Sequence, residues 1–125
     1  MKRIKSNNII TTDGILSGYV YLDGGKIVGV TSDELSFTEE YDAGDLYLSA
    51  GFIDPHTHGG GGYPFEGTLD DIVGGVNFHL THGTTSICPT ISAAPIEDMR
   101  RSVANIKQAM SDERVKANII GAHLE

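Results

Sequence analysis

Gly51-Phe52-Ile53-Asp54-Pro55-His56-Thr57-His58 is the stretch on which the fold turns. Phe52 and Ile53 suit a buried strand, and the two histidines fall where that strand ends. In extended backbone the side chains at i and i+2 share a face, so both imidazoles reach one point while Thr57 faces away. Imidazole nitrogen suits zinc, iron, nickel and similar divalent ions. A bare His-x-His is also what two ordinary polar loop residues look like, and two histidines do not complete a metal site. Asp54 can orient an imidazole or cap local backbone amides.

Downstream, His56 to Gly62 is expected to form the loop after this strand. Gly59-Gly60-Gly61-Gly62 lacks a following Gly-Lys-Ser/Thr and is not a phosphate-binding P-loop. The glycines suit a substrate-facing loop or a flexible surface turn. Tyr63 and Phe65 either wall a pocket or anchor the loop. Thr68 caps a helix in a capping-box relation with Asp71, and Leu69, Ile72, Val73, Val76 and Leu80 recur at helical spacing. Gly74 and Gly75 work against that helix on propensity, and Gly83 sits where a C-cap glycine would.

Thr84-Thr85-Ser86-Ile87-Cys88 is a second strand. Pro95 suits the first turn of a second helix carrying Ile96, Met99, Val103, Ile106 and Met110 on one face. Asn118-Ile119-Ile120-Gly121-Ala122 is a third strand. The alternation predicts a parallel sheet with right-handed crossovers, either the opening of a barrel or an open doubly wound sheet. Parallel strands end on one side of a sheet, so Glu125 can converge with His56 and His58; a solvated, frayed terminal glutamate is the alternative. His123 lies two residues before Glu125, at the spacing that shares a face, and either supports the site from behind a ligand or lines the barrel interior. His79 and His82 lie at the negative end of the first helix, where histidine is accommodated. Cys88 reads as a small apolar strand residue.

Residues 1–48 are different. Ile9-Ile10, Tyr19-Val20-Tyr21-Leu22 and Ile27-Val28-Gly29-Val30 are strand-like, with turns at Asp13-Gly14 and Asp23-Gly24-Gly25-Lys26. Leu46-Tyr47-Leu48 begins another strand. The apolar content is thin for an independent core. The formal charge of −8 over 125 residues disfavours nonspecific binding to nucleic acid or an anionic membrane. Cys88 is the only cysteine, which excludes an internal disulfide and fits a reducing compartment. Met1-Lys2-Arg3-Ile4-Lys5 leads into Ser6-Asn7-Asn8 rather than a long apolar run, so the expectation is a cytoplasmic protein without a signal peptide or membrane span.

Taken together, these residues resemble the amidohydrolase superfamily and, within it, the N-acetylglucosamine-6-phosphate deacetylases. The superfamily mark is Gly-Phe-Ile-Asp-x-His-x-His at residues 51–58. The narrower marks are His58-Gly59-Gly60-Gly61-Gly62, Gly83-Thr84-Thr85-Ser86 with Pro89-Thr90, and Gly121-Ala122-His123-Leu124-Glu125. Ala50 stands where relatives often have proline. The resemblance implies an α/β fold: the N-terminal portion of a (β/α)8 TIM barrel preceded by strands of a small β-sandwich domain. Residues 1–48 would be part of the sandwich, and residues 49–125 the first three barrel strands with two helices.

The resemblance also implies a site. His56, His58 and Glu125 match positions that bind a divalent cation, zinc or iron foremost. The implied reaction is hydrolysis of the acetamide of a small sugar phosphate, N-acetylglucosamine 6-phosphate, to glucosamine 6-phosphate and acetate. The acid–base aspartate belongs to the eighth strand and further histidines to middle strands, so no catalytic residue is assigned here. A full-length enzyme of this kind, about three times longer than this chain, is expected to be a homo-oligomer. The 125-residue chain is then expected to be an inactive fragment of low solubility. Two alternatives stay open: another metal-dependent amidohydrolase acting on a cyclic amide or amino sugar, and a noncatalytic remnant or assembly partner.

Overall fold

The computed structural model describes residues 1–125. Its first strand, β1 (Lys2–Thr11), pairs antiparallel with β2 (Gly14–Asp23), and the ladder shifts register between Ser6 and Ile9. This bulge frees polar side chains for other partners. Ser6 Oγ accepts the Asn8 N–H at 2.9 Å and donates to the Leu46 carbonyl at 2.7 Å. Asn7 Nδ2 donates to Asp45 Oδ1 at 2.8 Å. The expected turn at Gly24-Gly25, with φ of 54° and 77°, leads back into β3 (Lys26–Thr31). Positive φ at both central residues matches the twist of a tight hairpin. β4 (Glu39–Asp42) and β5 (Tyr47–Leu48) both pair parallel with β1.

This mixed sheet belongs to a compact unit, Met1–Ala50. Its buried residues include Ile9, Val20 and Tyr21, while Ile10, Ile15, Ile27 and Val28 stay exposed. Arg3 is buried between two rings, 4.3 Å from the centroid of Tyr19 and 3.6 Å from that of Phe37. Its guanidinium pairs with Glu34 and Glu40, which offsets the cost of burying a cation.

The second unit, Gly51–Glu125, holds β6 (Phe52–Thr57), β7 (Gly59–Gly60), β8 (Tyr63–Pro64), α1 (Leu69–Leu80), β9 (Thr84–Ile91), α2 (Ile96–Ala109), β10 (Asn118–Ile119) and β11 (His123–Leu124). β6, β10 and β11 all run parallel to β9, as the strand–helix alternation predicts. β6 and β10 pair with the same β9 residues, Ser86 and Ile87, and so occupy its opposite edges. The result is an α/β fold with an open parallel sheet, consistent with part of a (β/α)8 barrel plus a β-strand region; the sheet does not close.

Four local expectations need correction. Phe52 and Ile53 are 60% and 68% exposed rather than buried, because β6 is an edge strand paired only with β9. The third strand is not continuous over Asn118–Ala122: it forms two short ladders, and the second reaches Leu124. His56 and Thr57 belong to β6, and the glycines beyond them form the β7–β8 hairpin instead of a plain loop. The C-cap of α1 is Thr81, with Gly83 turning the chain just beyond at φ 95°.

The N-terminus of α1 is as expected. Thr68 Oγ1 accepts the Asp71 N–H, and Asp71 Oδ2 accepts the Thr68 N–H at 2.8 Å. Gly74 and Gly75 have a packing reason. A Cβ at Gly74 would meet the Tyr63 ring at 2.7 Å, and one at Gly75 would meet Phe65 Cε1 at 2.7 Å. The helix gives up propensity so that the hairpin segment can lie directly on it. Phe65 thereby anchors the loop in the core beside Ile72, Val76, Ile87, Ile91, Ile106, Ala109 and Ile119. Each large member contributes roughly 1.5–3 kcal/mol by burial.

Candidate metal centre

The backbone between the two histidines is fixed from below. Thr57 donates its N–H to Thr90 Oγ1 at 2.9 Å, and Thr90 is fully buried on β9. Thr57 faces away from the histidines, with Oγ1 3.4 Å from His79 Nε2. Asp54 Oδ1 accepts the His56 N–H at 3.1 Å, so Asp54 caps backbone instead of orienting a ring. His56 and His58 then project together, with their Nε2 atoms 3.3 Å apart.

Glu125 arrives from the opposite edge of β9. Its N–H donates to the Ile91 carbonyl at 3.1 Å, extending the β11 ladder by one residue. Its Oε2 lies 3.5 Å from His56 Nε2 and 2.9 Å from His58 Nε2. One donor atom from each of the three residues falls within 4.8 Å of the others. Four ligands at ~2.0–2.1 Å around a tetrahedral ion stand about 3.3–3.4 Å apart. Separations of 3.3, 3.5 and 2.9 Å are of that size, so the cluster can coordinate a metal ion. The side chains of His56, His58 and Glu125 are 45%, 45% and 51% exposed, so the cluster has an open side.

His123 packs flat on His56, with ring centroids 4.2 Å apart and planes inclined by 21°. It donates Nδ1–H to the Pro55 carbonyl at 3.1 Å, which ties β11 to the strand carrying the histidines. His79 donates Nε2–H to the Gly59 carbonyl at 2.9 Å. A Cβ at Gly60 would come within 2.8 Å of that same nitrogen. The glycine hairpin is thus held against α1, with Gly61 and Gly62 at φ 63° and 88° making its turn. His82 Nδ1 stays with its own helix end, 3.0 Å from the Phe78 carbonyl.

Two neighbours of the cluster carry no signal in the sequence pattern. Ser92 Oγ lies 3.1 Å from His58 Nδ1, and the Ser92 N–H donates to Glu66 Oε1 at 3.0 Å. Burial alone would raise the Glu66 carboxyl, but the N–H and hydroxyl of Ser92 bring it below the ordinary carboxylate range. Glu66 is therefore ionised at neutral pH. Both residues lie outside the regular elements, where neither strand nor helix periodicity places a side chain.

No protein-family model matches the chain. N-acetylglucosamine-6-phosphate deacetylase of Bos taurus is 31% identical over 127 aligned positions, covering 94% of this chain and 30% of the relative. The Homo sapiens enzyme of that name is 36% identical over 116 positions, covering 85% and 28%. A structure of the Mycobacterium smegmatis enzyme, in complex with N-acetyl-D-glucosamine-6-phosphate, superposes with a TM-score of 0.79 at 25% identity, covering 98% of this chain and 32% of that one. The chain matches amidohydrolase-superfamily N-acetylglucosamine-6-phosphate deacetylases over a fragment of their length. It spans under a third of the curated deacetylases it matches, 30% and 28% of the two described. Dihydropyrimidinase 1 of Caenorhabditis elegans also matches, at 37% identity over 69% of this chain and 19% of that relative. No helix of the chain is long and apolar enough to cross a membrane.

Proposed function

We propose that residues 1–125 supply the first metal-binding segment of an N-acetylglucosamine-6-phosphate deacetylase, with His56, His58 and Glu125 as ligands. The observation that carries this reading is the convergence of those three donors from both edges of β9, in a chain matching that family. Under it, residues 1–48 are part of a small β-sandwich and residues 49–125 the opening of a (β/α)8 barrel.

A divalent cation held there would polarise the acetamide carbonyl and activate water for attack. The donor set suits that work. Two neutral imidazoles and one carboxylate cancel only one charge of a divalent ion, leaving it electrophilic. The borderline nitrogen ligands favour zinc or iron over magnesium or calcium. Thr90 and Asp54 hold the histidine backbone, and His123 limits rotation of the His56 ring. The open side of the cluster gives the substrate its approach.

Amide hydrolysis also needs a donor that protonates the departing amine. The family resemblance assigns that role to an aspartate of a later strand. The isolated 125-residue chain therefore binds the cation and does not release acetate.

A chimaera tests the reading. Residues 1–125 replace the matching segment of the Homo sapiens relative, and acetate release from N-acetylglucosamine 6-phosphate is measured with zinc. Retained turnover that Glu125→Gln removes supports it. A folded chimaera that binds zinc but hydrolyses only dihydrouracil overturns it. That outcome would favour a cyclic-amide hydrolase, the reading to which the dihydropyrimidinase match lends weight.

A further inference from the structure

We propose that Ser92 and Glu66 are positioning residues that hold His58 in the Nδ1–H tautomer and so present its Nε2 lone pair to the cation. The inference rests on the metal-site reading above and adds residues which that reading does not use.

The geometry dictates the direction of the hydrogen bonds. His58 Nε2 is the nitrogen that faces His56 Nε2 and Glu125 Oε2, at 3.3 and 2.9 Å. For Nε2 to ligate, the ring proton must sit on Nδ1. Ser92 Oγ, 3.1 Å from Nδ1, accepts it. That leaves the serine hydroxyl proton free to point at an acceptor, and the Glu66 carboxylate is held beside it, accepting the Ser92 N–H at 3.0 Å. The chain reads His58 Nδ1–H to Ser92 Oγ–H to Glu66 carboxylate. An anion at its far end increases the basicity of the ligating nitrogen, as carboxylates behind metal-bound histidines do.

The opposite arrangement is available without a cation. A proton on His58 Nε2 then faces Glu125 Oε2, 2.9 Å away, with Ser92 donating its hydroxyl to a bare Nδ1. Serine is suited to both because a hydroxyl donates and accepts. The relay reverses when the cation takes Nε2. His56 has no such arrangement, since its ring is set by stacking on His123.

The test uses the 125-residue protein with Zn²⁺ alone. Zinc affinity is measured by chelator competition, and the His58 tautomer by ¹⁵N shifts of the imidazole. In the parent, zinc should produce a protected Nδ1–H signal on His58. Ser92→Ala should lose that protection and bind zinc about 10- to 100-fold more weakly. Ser92→Thr, which keeps the hydroxyl, should restore both. Glu66→Gln should keep the tautomer and lose part of the affinity. Unchanged helical circular dichroism in each variant separates these effects from unfolding. If the parent binds zinc and Ser92→Ala matches it in affinity and Nδ1–H protection, this inference fails alone. If the parent binds no zinc, the metal-site reading fails and this inference with it.

Discussion

The Nε2 of His58 lies 2.9 Å from the Oε2 of Glu125, although the two residues immediately follow strands on opposite edges of β9. Without a cation the two atoms are in close polar contact; on the metal-site reading proposed above, both would become donors to the same ion. Removing either should therefore cost more than a contact. We expect Glu125→Gln to weaken zinc binding by at least about tenfold and His58→Ala to abolish it at micromolar zinc. Ligands must shed protons to bind, so affinity in the parent should also fall as pH is lowered. Calorimetric titration at two pH values checks both; a parent-like affinity in His58→Ala would remove this residue from the ligand set.

A second expectation concerns the paired glycines of α1. Alanine normally improves a helix interior by about 1 kcal/mol over glycine. At Gly75 the new Cβ would meet the fully buried Phe65 at 2.7 Å, with the Tyr63 carbonyl at 3.2 Å behind it. Neither can move aside cheaply, and overpacking costs about 1–3 kcal/mol, so Gly75→Ala should be net destabilising. At Gly74 the obstacle is the Tyr63 ring, which is partly exposed and can swing away. Gly74→Ala should then be close to neutral. Urea denaturation of the two variants side by side tests the contrast, and equal midpoints would refute it.

These glycines also mark what the sequence could convey. The capping box at Thr68 and Asp71 and the alternation behind the parallel sheet were legible, because each follows from local spacing. His-x-His at a strand end announced its own geometry for the same reason. Gly74 and Gly75 looked like a defect in the helix, since their reason is a ring brought over them by a hairpin. Phe52 and Ile53 read as buried because apolar strand residues usually are, but burial depends on how many strands flank β6. Ser92 and Glu66 were silent, because only the pairing of β6 with β9 brings their segments beside His58. Local pattern carried the elements; the neighbours of each site came from register.

Acid should reveal the clamp around Arg114. Asp112 accepts from the Arg114 N–H and Nε at 2.9 and 3.0 Å and from Nη2 at 2.7 Å, while Nη1 reaches Asp70 at 2.7 Å. These bonds hold the Asp112 carboxyl down at about 2. A depressed folded value means the contribution is complete above the ordinary aspartate range and is lost as pH falls towards 2. Stability should therefore decline between about pH 4 and pH 2, and Asp112→Asn should flatten that part of the profile. Denaturation midpoints across the range measure it; an unchanged slope in the variant would assign the acid sensitivity elsewhere.

The edge of β6 supplies the last expectation. Its only partner is β9, and Phe52 and Ile53 stand largely exposed on it. An unpaired strand edge with apolar side chains is a template for another strand. The 125-residue chain should accordingly self-associate as its concentration rises. Burying one isoleucine contributes roughly 1.5–3 kcal/mol, so Ile53→Lys should weaken association by about tenfold or more. The substitution leaves the core cluster untouched, since Ile53 is not among its residues. Sedimentation velocity over a concentration series distinguishes the cases. A parent that stays monomeric throughout would show that this edge is protected in solution, and equal association in parent and variant would place the contact on a different surface.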